Sequence, residues 1–137
     1  MGVREMDRLV PMEVDLHTIS PLNLAFVGDG VYELMVRERL VCLANRPNKE
    51  LHQLAVQQVR AEAQAAALDR LMPLLSEEES AVYRRGRNAH TSRTGGSYHK
   101  ATGLEALSGY LYLAGRVDRV RELFSIITQE GETSETT

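Results

Sequence analysis

Every apolar pattern in this 137-residue chain repeats at the helical period, and no segment shows the strict alternation of a half-buried strand between turns. That leaves helices packed on helices and excludes a sheet. Cap chemistry marks where the helices lie. Ser20, with Pro21 at the first helical position, opens a helix over 21–43 whose apolar residues are Leu24, Val27, Val31, Leu34 and Met35. NRPNKE then breaks the chain, and residues 49–71, rich in Ala, Gln, Leu and Glu, predict one long second helix. Ser76 followed by Glu77, Glu78 and Glu79 starts a third, running toward Arg85. Beyond the glycine loop HTSRTGGS come a helix over 99–114, ended by Gly115, and one over 117–129 with Val120, Leu123, Phe124 and Ile127 on one face. The expectation is an all-α fold of about five to seven helices.

Composition makes these helices one domain. With 43% apolar and 26% charged residues, the chain can bury most of the surface it exposes when unfolded. Residues 1–19 read as an N-terminal arm, 20–128 as the domain, and 129–137, acidic and without apolar residues, as a disordered tail. Cys42 is the sole cysteine, so no disulfide framework or thiolate metal cluster is expected, and a reducing cytoplasm is the natural compartment. The first residues mix charges with apolar side chains and hold no continuous apolar run, so neither a signal peptide nor a membrane anchor is expected.

Charge is segregated along the chain. The net charge of -3 conceals a basic stretch at 84–100, RRGRNAHTSRTGGSYHK, which holds Arg84, Arg85, Arg87, Arg93 and Lys100 and no acid. The remainder is strongly acidic.

Two carboxylates stand in unusual surroundings. Asp29 lies between Gly28 and Gly30 in FVGDGVYELMV, about opposite the centre of the apolar face, with Glu33 and Arg37 one and two turns further on. A solvated Asp-Glu-Arg ladder is one reading. However, Ala25, Phe26 and Val36 make the far face apolar too, so a charge there needs a cation or donors. The two glycines each cost roughly 1 kcal/mol against alanine in a helix interior, which points to a close neighbour. Glu105, in ATGLEALSGYLYL, repeats the pattern: Leu104, Leu107, Tyr110 and Leu111 form the apolar face, and Glu105 shares the other side with Thr102, Gly109 and Tyr112. Two such acids from packed helices can hold a hard divalent cation and leave positions for water and phosphate.

FVGDGVYEL, RGRNAH and LEAL.GY, in this order and spacing, resemble the ribonuclease III catalytic domain, and in particular its short branch, Mini-ribonuclease III, over residues 20–128. The resemblance implies a magnesium-dependent endonuclease for double-stranded RNA, working as a homodimer without a separate RNA-binding domain and making 5′-phosphate and 3′-hydroxyl ends in staggered paired cuts. By position, Asp29 and Glu105 match the two acids of its metal site, for Mg2+ with Mn2+ as a substitute. Leu22, Ala25 and Thr102 stand where longer relatives carry further acids. Asn48 and Glu50 lie near another auxiliary acid without a fixed alignment, and Glu33 has no catalytic counterpart. The first helix sits at the subunit interface in this family, which makes Val27, Val31 and Leu34 interface candidates. The suggested substrate is the precursor of the 23S ribosomal RNA, a substrate compatible with a ribosomal protein as helper.

The basic stretch supplies binding. Arg84, Arg85, Arg87, Asn88, His90 and Arg93 suit the phosphates and 2′-hydroxyls of the wide minor groove of A-form RNA, and Tyr98 and Lys100 precede the second acid closely enough to meet a phosphate. Arg84 and Arg85 also complement a helix C-terminus. The loop between RGRNA and EAL is several residues shorter than in the branch. His17, His52, His90 and His99 have no metal-ligand spacing, and Cys42 reads as a small buried side chain. A helical RNA-binding or ribosome-assembly module without the chemistry is the alternative function; the two retained acids favour the enzyme.

Overall fold

The computed structural model describes residues 8–89 and 96–135, with side chains as far as 128. Within these residues the chain forms six α-helices and no strand: α1 (Pro21–Leu43), α2 (Asn48–Val59), α3 (Ala61–Leu71), α4 (Glu77–Arg87), α5 (Gly96–Leu113) and α6 (Val117–Glu135). Short 3-10 turns at Leu16–Thr18 and Met72–Leu74 lead into α1 and α4.

The helix ends obey local chemistry. Ser20 Oγ accepts from the Asn23 amide with Pro21 following, as the sequence predicts. Ser76 and Glu79 form a capping box, each side chain bonded to the other's backbone amide. Gly115 adopts φ 77°, and the Arg116 and Gly115 amides bond back to Leu111 and Tyr112, each at 2.9 Å, which closes α5 with a Schellman motif.

Glu79 has a second task. Its buried carboxylate receives two 2.8 Å bonds from Arg119 of α6, tying the start of α4 to the last helix. These bonds, more than the Ser76 amide, hold its carboxyl below the usual carboxylate range.

α5 is the central helix. It packs against α1, α3, α4 and α6, and Leu104, Ala106, Leu107 and Leu111 are at most 1% exposed. Around it gather Leu24, Tyr32, Val36 and Leu40 from α1, Leu71, Val82, Val120 and Leu123. Burial on several sides explains why α5 carries so few charges.

Four expectations are corrected. The segment over 49–71 is two helices, broken at Arg60, whose ψ of 150° is extended. Its helix formers permit a continuous rod, but α2 must lie on α1 while α3 lies on α5 and α6, and one straight helix cannot serve both. The buried face of α1 is Leu24, Ala25, Gly28, Tyr32, Val36 and Leu40, turned from the expected stripe, and Leu34 is 54% exposed. A count of apolar side chains gives Gly28 no weight, although its backbone makes the closest contact on that face. Cys42 is exposed rather than buried, because the last turns of α1 direct Val36 and Leu40 inward instead. The last helix also extends past 129 to Glu135, a polar run that continues a helix already nucleated. Among the described residues no helix is long and apolar enough to cross a membrane.

Candidate active site

The site is built on a contact between glycine backbones. A Cβ added at Gly28 would collide with the carbonyl oxygen of Glu105 and stand 2.8 Å from the Gly109 amide nitrogen. One added at Gly109 would collide with the Leu24 carbonyl and stand 2.9 Å from the Gly28 nitrogen. α1 and α5 therefore meet backbone to backbone, with no side chain between them. Asp29, next to Gly28, and Glu105 are brought to this seam, and their carboxyl groups lie within hydrogen-bonding reach of each other. Gly30 is different: nothing lies within 4 Å of the place its Cβ would take.

Asp29 is exposed, against the expectation of a covered far face, and Phe26 of that face is 82% exposed, whereas burial dominates the electrostatics of Glu105. Burial pushes the Glu105 carboxyl up to about 7, with the Asp29 charge acting in the same direction and a hydrogen bond from Gln64 opposing both. Tyr32, one turn beyond Asp29, is pushed up to about 12, first by burial, then by the charge of Glu105, against the pull of Arg70. Exposed Asp29 and half-buried Glu105 repel when both ionise, and a divalent cation with oxygen preference would relieve that repulsion. The donor set fits such an ion. Among the described residues, no group of three or more His, Cys, Asp or Glu side chains converges, so only this pair of acids would be available to such an ion there.

The other predicted residues divide into two sets. Arg84 and Arg85 stand exposed on α4 and Asn88 exposed at its C-terminal cap, while Arg87 is half-buried with its guanidinium 5.6 Å from the centre of the Tyr83 ring. This basic end is joined to α5 at Gly86, where a Cβ would stand 2.6 Å from that of Ala106, the neighbour of Glu105. Tyr98 and Lys100 are exposed in the first turns of α5. His90 and Arg93 lie outside the described residues. Val27 and Val31 are half-buried and Leu34 is exposed, sharing the outer surface of α1 with Leu22 (43% exposed), Phe26 (82%) and Val41 (59%). Glu33 bonds to Arg37 at 2.6 Å, and Glu50 pairs with Arg46 at 3.3 Å.

The sequence reading missed Gln64, 1% exposed, which donates to Glu105. A signal was present: Gln64 is the polar member of a face otherwise made by Ala67, Leu68 and Leu71, at helical spacing.

This fold and seam agree with what the chain is similar to. The Ribonuclease III domain family pattern matches residues 22–116, a span that holds both acids. The chain belongs to the ribonuclease III family. Within it, the similar proteins carry the name Mini-ribonuclease 3: one from a Thermoanaerobacter species is 43% identical over 134 residues, 94% of each chain. One from Symbiobacterium thermophilum is 48% identical over 111 residues, covering 77% of this chain and 85% of its own. A crystal structure of a Fusobacterium nucleatum protein superposes with a TM-score of 0.77 at 28% identity, covering 85% of this chain and 98% of that one. The family's all-helical fold is thus found here with Asp29 and Glu105 at the contact of its two most closely packed helices.

Proposed function

We propose that this chain is a magnesium-dependent endoribonuclease that cuts double-stranded RNA, with the 23S ribosomal RNA precursor as its natural duplex. The observation that carries the reading is the meeting of Asp29 and Glu105 across the α1–α5 seam. Their family, and the relatives named for ribonuclease activity, support RNA as the substrate.

Asp29 and Glu105 would hold Mg2+. When bound, the ion supplies Lewis-acid polarisation of the scissile phosphate, a water of lowered pKa and charge relief at the leaving oxygen. The protein's own part is positional. Glycine contacts fix the separation of the acids, and burial of Glu105 makes its negative charge costly unless a cation is near. Arg84, Arg85 and Asn88, exposed on the helix that packs beside Glu105, offer charge and donors to phosphates of the duplex. A homodimer through the outer face of α1 fits the apolar side chains exposed there, Phe26 above all. Two copies would set two seams against one duplex, one for each strand.

The test is cleavage of a labelled duplex RNA by wild-type protein and Asp29→Asn, in Mg2+ and in chelator. Wild type cuts only in Mg2+, leaving 5′-phosphate ends, and the variant falls by about a hundredfold or more while its circular dichroism is unchanged. Cutting in chelator, or full activity of the variant, rejects the mechanism. The sparse acid set favours one rival, a scaffold that binds duplex RNA without cutting it; wild-type binding with no cleavage in Mg2+ would establish that instead.

A further inference from the structure

Gln64 occupies the first turn of α3 and is almost entirely buried. Its Nε2 donates to the Val59 carbonyl at 3.0 Å and to Glu105 Oε2 at 3.3 Å. With the helix interrupted at Arg60, the Val59 carbonyl takes its donor from this side chain. Both amide hydrogens are therefore used, while Gln64 Oε1 is buried with no partner among the described residues. Turning the amide over would set oxygen against the Val59 carbonyl and the Glu105 carboxylate, so the hydrogen-bond network fixes its orientation. Leaving a buried acceptor unpartnered costs about 1–3 kcal/mol, which an apolar residue on this otherwise apolar face would avoid. The residue is thus expensive for packing, and its donor end is the part in use.

We infer that Gln64 is a positioning residue for the cation site: clamped to the α2–α3 break, it holds the Glu105 carboxylate in the orientation that faces Asp29. The inference rests on the proposed reading of Asp29 and Glu105 as the cation-holding pair. It also assigns a purpose to the break at Arg60, since a continuous helix would satisfy the Val59 carbonyl internally and leave the amide without its anchor. Removing a partner that orients a metal ligand typically weakens metal affinity 10- to 100-fold.

Mn2+ binding, followed by electron paramagnetic resonance of the free ion without RNA, separates this role from catalysis. Gln64→Met should weaken Mn2+ binding about 10- to 100-fold. Glu105→Gln should weaken it at least as much, and adding Gln64→Met to Glu105→Gln should change nothing more, because Gln64 acts through Glu105. Unchanged affinity in Gln64→Met, or a further full loss in the double variant, would overturn the assignment. A merely structural role would lower the melting temperature in chelator and leave the affinity of the folded protein as it was. If Glu105→Gln itself binds Mn2+ like wild type, the reading of the acid pair fails, and the positioning role with it. Should Gln64→Met not fold, Gln64→Asn, which is too short to span Val59 and Glu105, takes its place with the same expectation.

Discussion

Glu105→Gln should make the cation-free protein more stable, and by an amount that depends on pH. The structure pushes the Glu105 carboxyl from an ordinary value of 4.5 to about 7, chiefly by burial. Below the lower value the group is neutral in both folded and unfolded chains and costs nothing. As pH rises through this window the unfolded chain releases its proton first, so stability is lost progressively and the loss is complete above about 7. Linkage gives a cost of roughly 1 kcal/mol at pH 5 and about 3 kcal/mol at pH 8, upper figures because Glu105 keeps some solvent access. Glutamine has nearly the same shape and no charge to bury. Denaturant melts in chelator should therefore show the variant ahead of wild type by up to about 3 kcal/mol at pH 8, a gain on the order of 10 °C in melting temperature, narrowing to about 1 at pH 5. Comparing the two proteins cancels the titrating groups that do not interact with Glu105. Added Mg2+ should reverse the order at pH 8 by stabilising wild type alone. A variant less stable than wild type at pH 8 in chelator, with a gap indifferent to pH, would refute the reasoning.

Other outcomes follow from the packing and the charges. Gly28→Ala should cost about 3 kcal/mol in a melt because its methyl meets backbone, whereas Gly30→Ala, opening onto free space, should stabilise the folded subunit by roughly 0.5–1 kcal/mol. Glu79→Gln should cost about 1–3 kcal/mol near neutrality by weakening the two charge-assisted bonds from Arg119, which keeps Glu122 and the Leu74 carbonyl. Since Glu79 titrates below the usual range, its contribution is present above the unfolded carboxylate pKa and fades as pH falls through the folded value, so that gap should close in acid. Arg84→Glu with Arg85→Glu should weaken duplex binding and flatten its salt dependence in a filter or anisotropy assay, leaving Mn2+ affinity intact. In the proposed homodimer, Phe26→Ser should shift sedimentation toward monomer, since each copy would withdraw a ring worth about 1.5–3 kcal/mol of burial, and a wild type that sediments as monomer would reject that interface.

What could be read from the sequence was what depends on near neighbours. Ser20, the Ser76–Glu79 box and Gly115 announce helix ends because capping is settled within a few residues. Asp29 and Glu105 are legible as unusual acids on largely apolar helices; that they meet across α1 and α5, with Asp29 exposed and Glu105 half-buried, is not. The break at Arg60 was illegible, because residues on both sides favour a helix and the decision comes from α1, α5 and α6. The phase of α1 is hidden at Gly28, where the absence of a side chain is itself the packing feature. Gln64 escaped notice since its partners, Val59 and Glu105, meet it only through the break and the tertiary fold.

The reciprocal seating of Gly28 on Glu105 and of Gly109 on Leu24 works like a gauge block between two shafts. Main chain sets the gap, and main chain does not drift as side chains do. Substitutions on the outer surface of either helix can therefore leave the backbone contact beneath both acids as it is. In the proposed site, contacts to RNA could be retuned from outside, one arginine at a time, whereas the fit of a cation would change only with the shift of a helix, and a single methyl group at position 28 is enough to forbid the present seating.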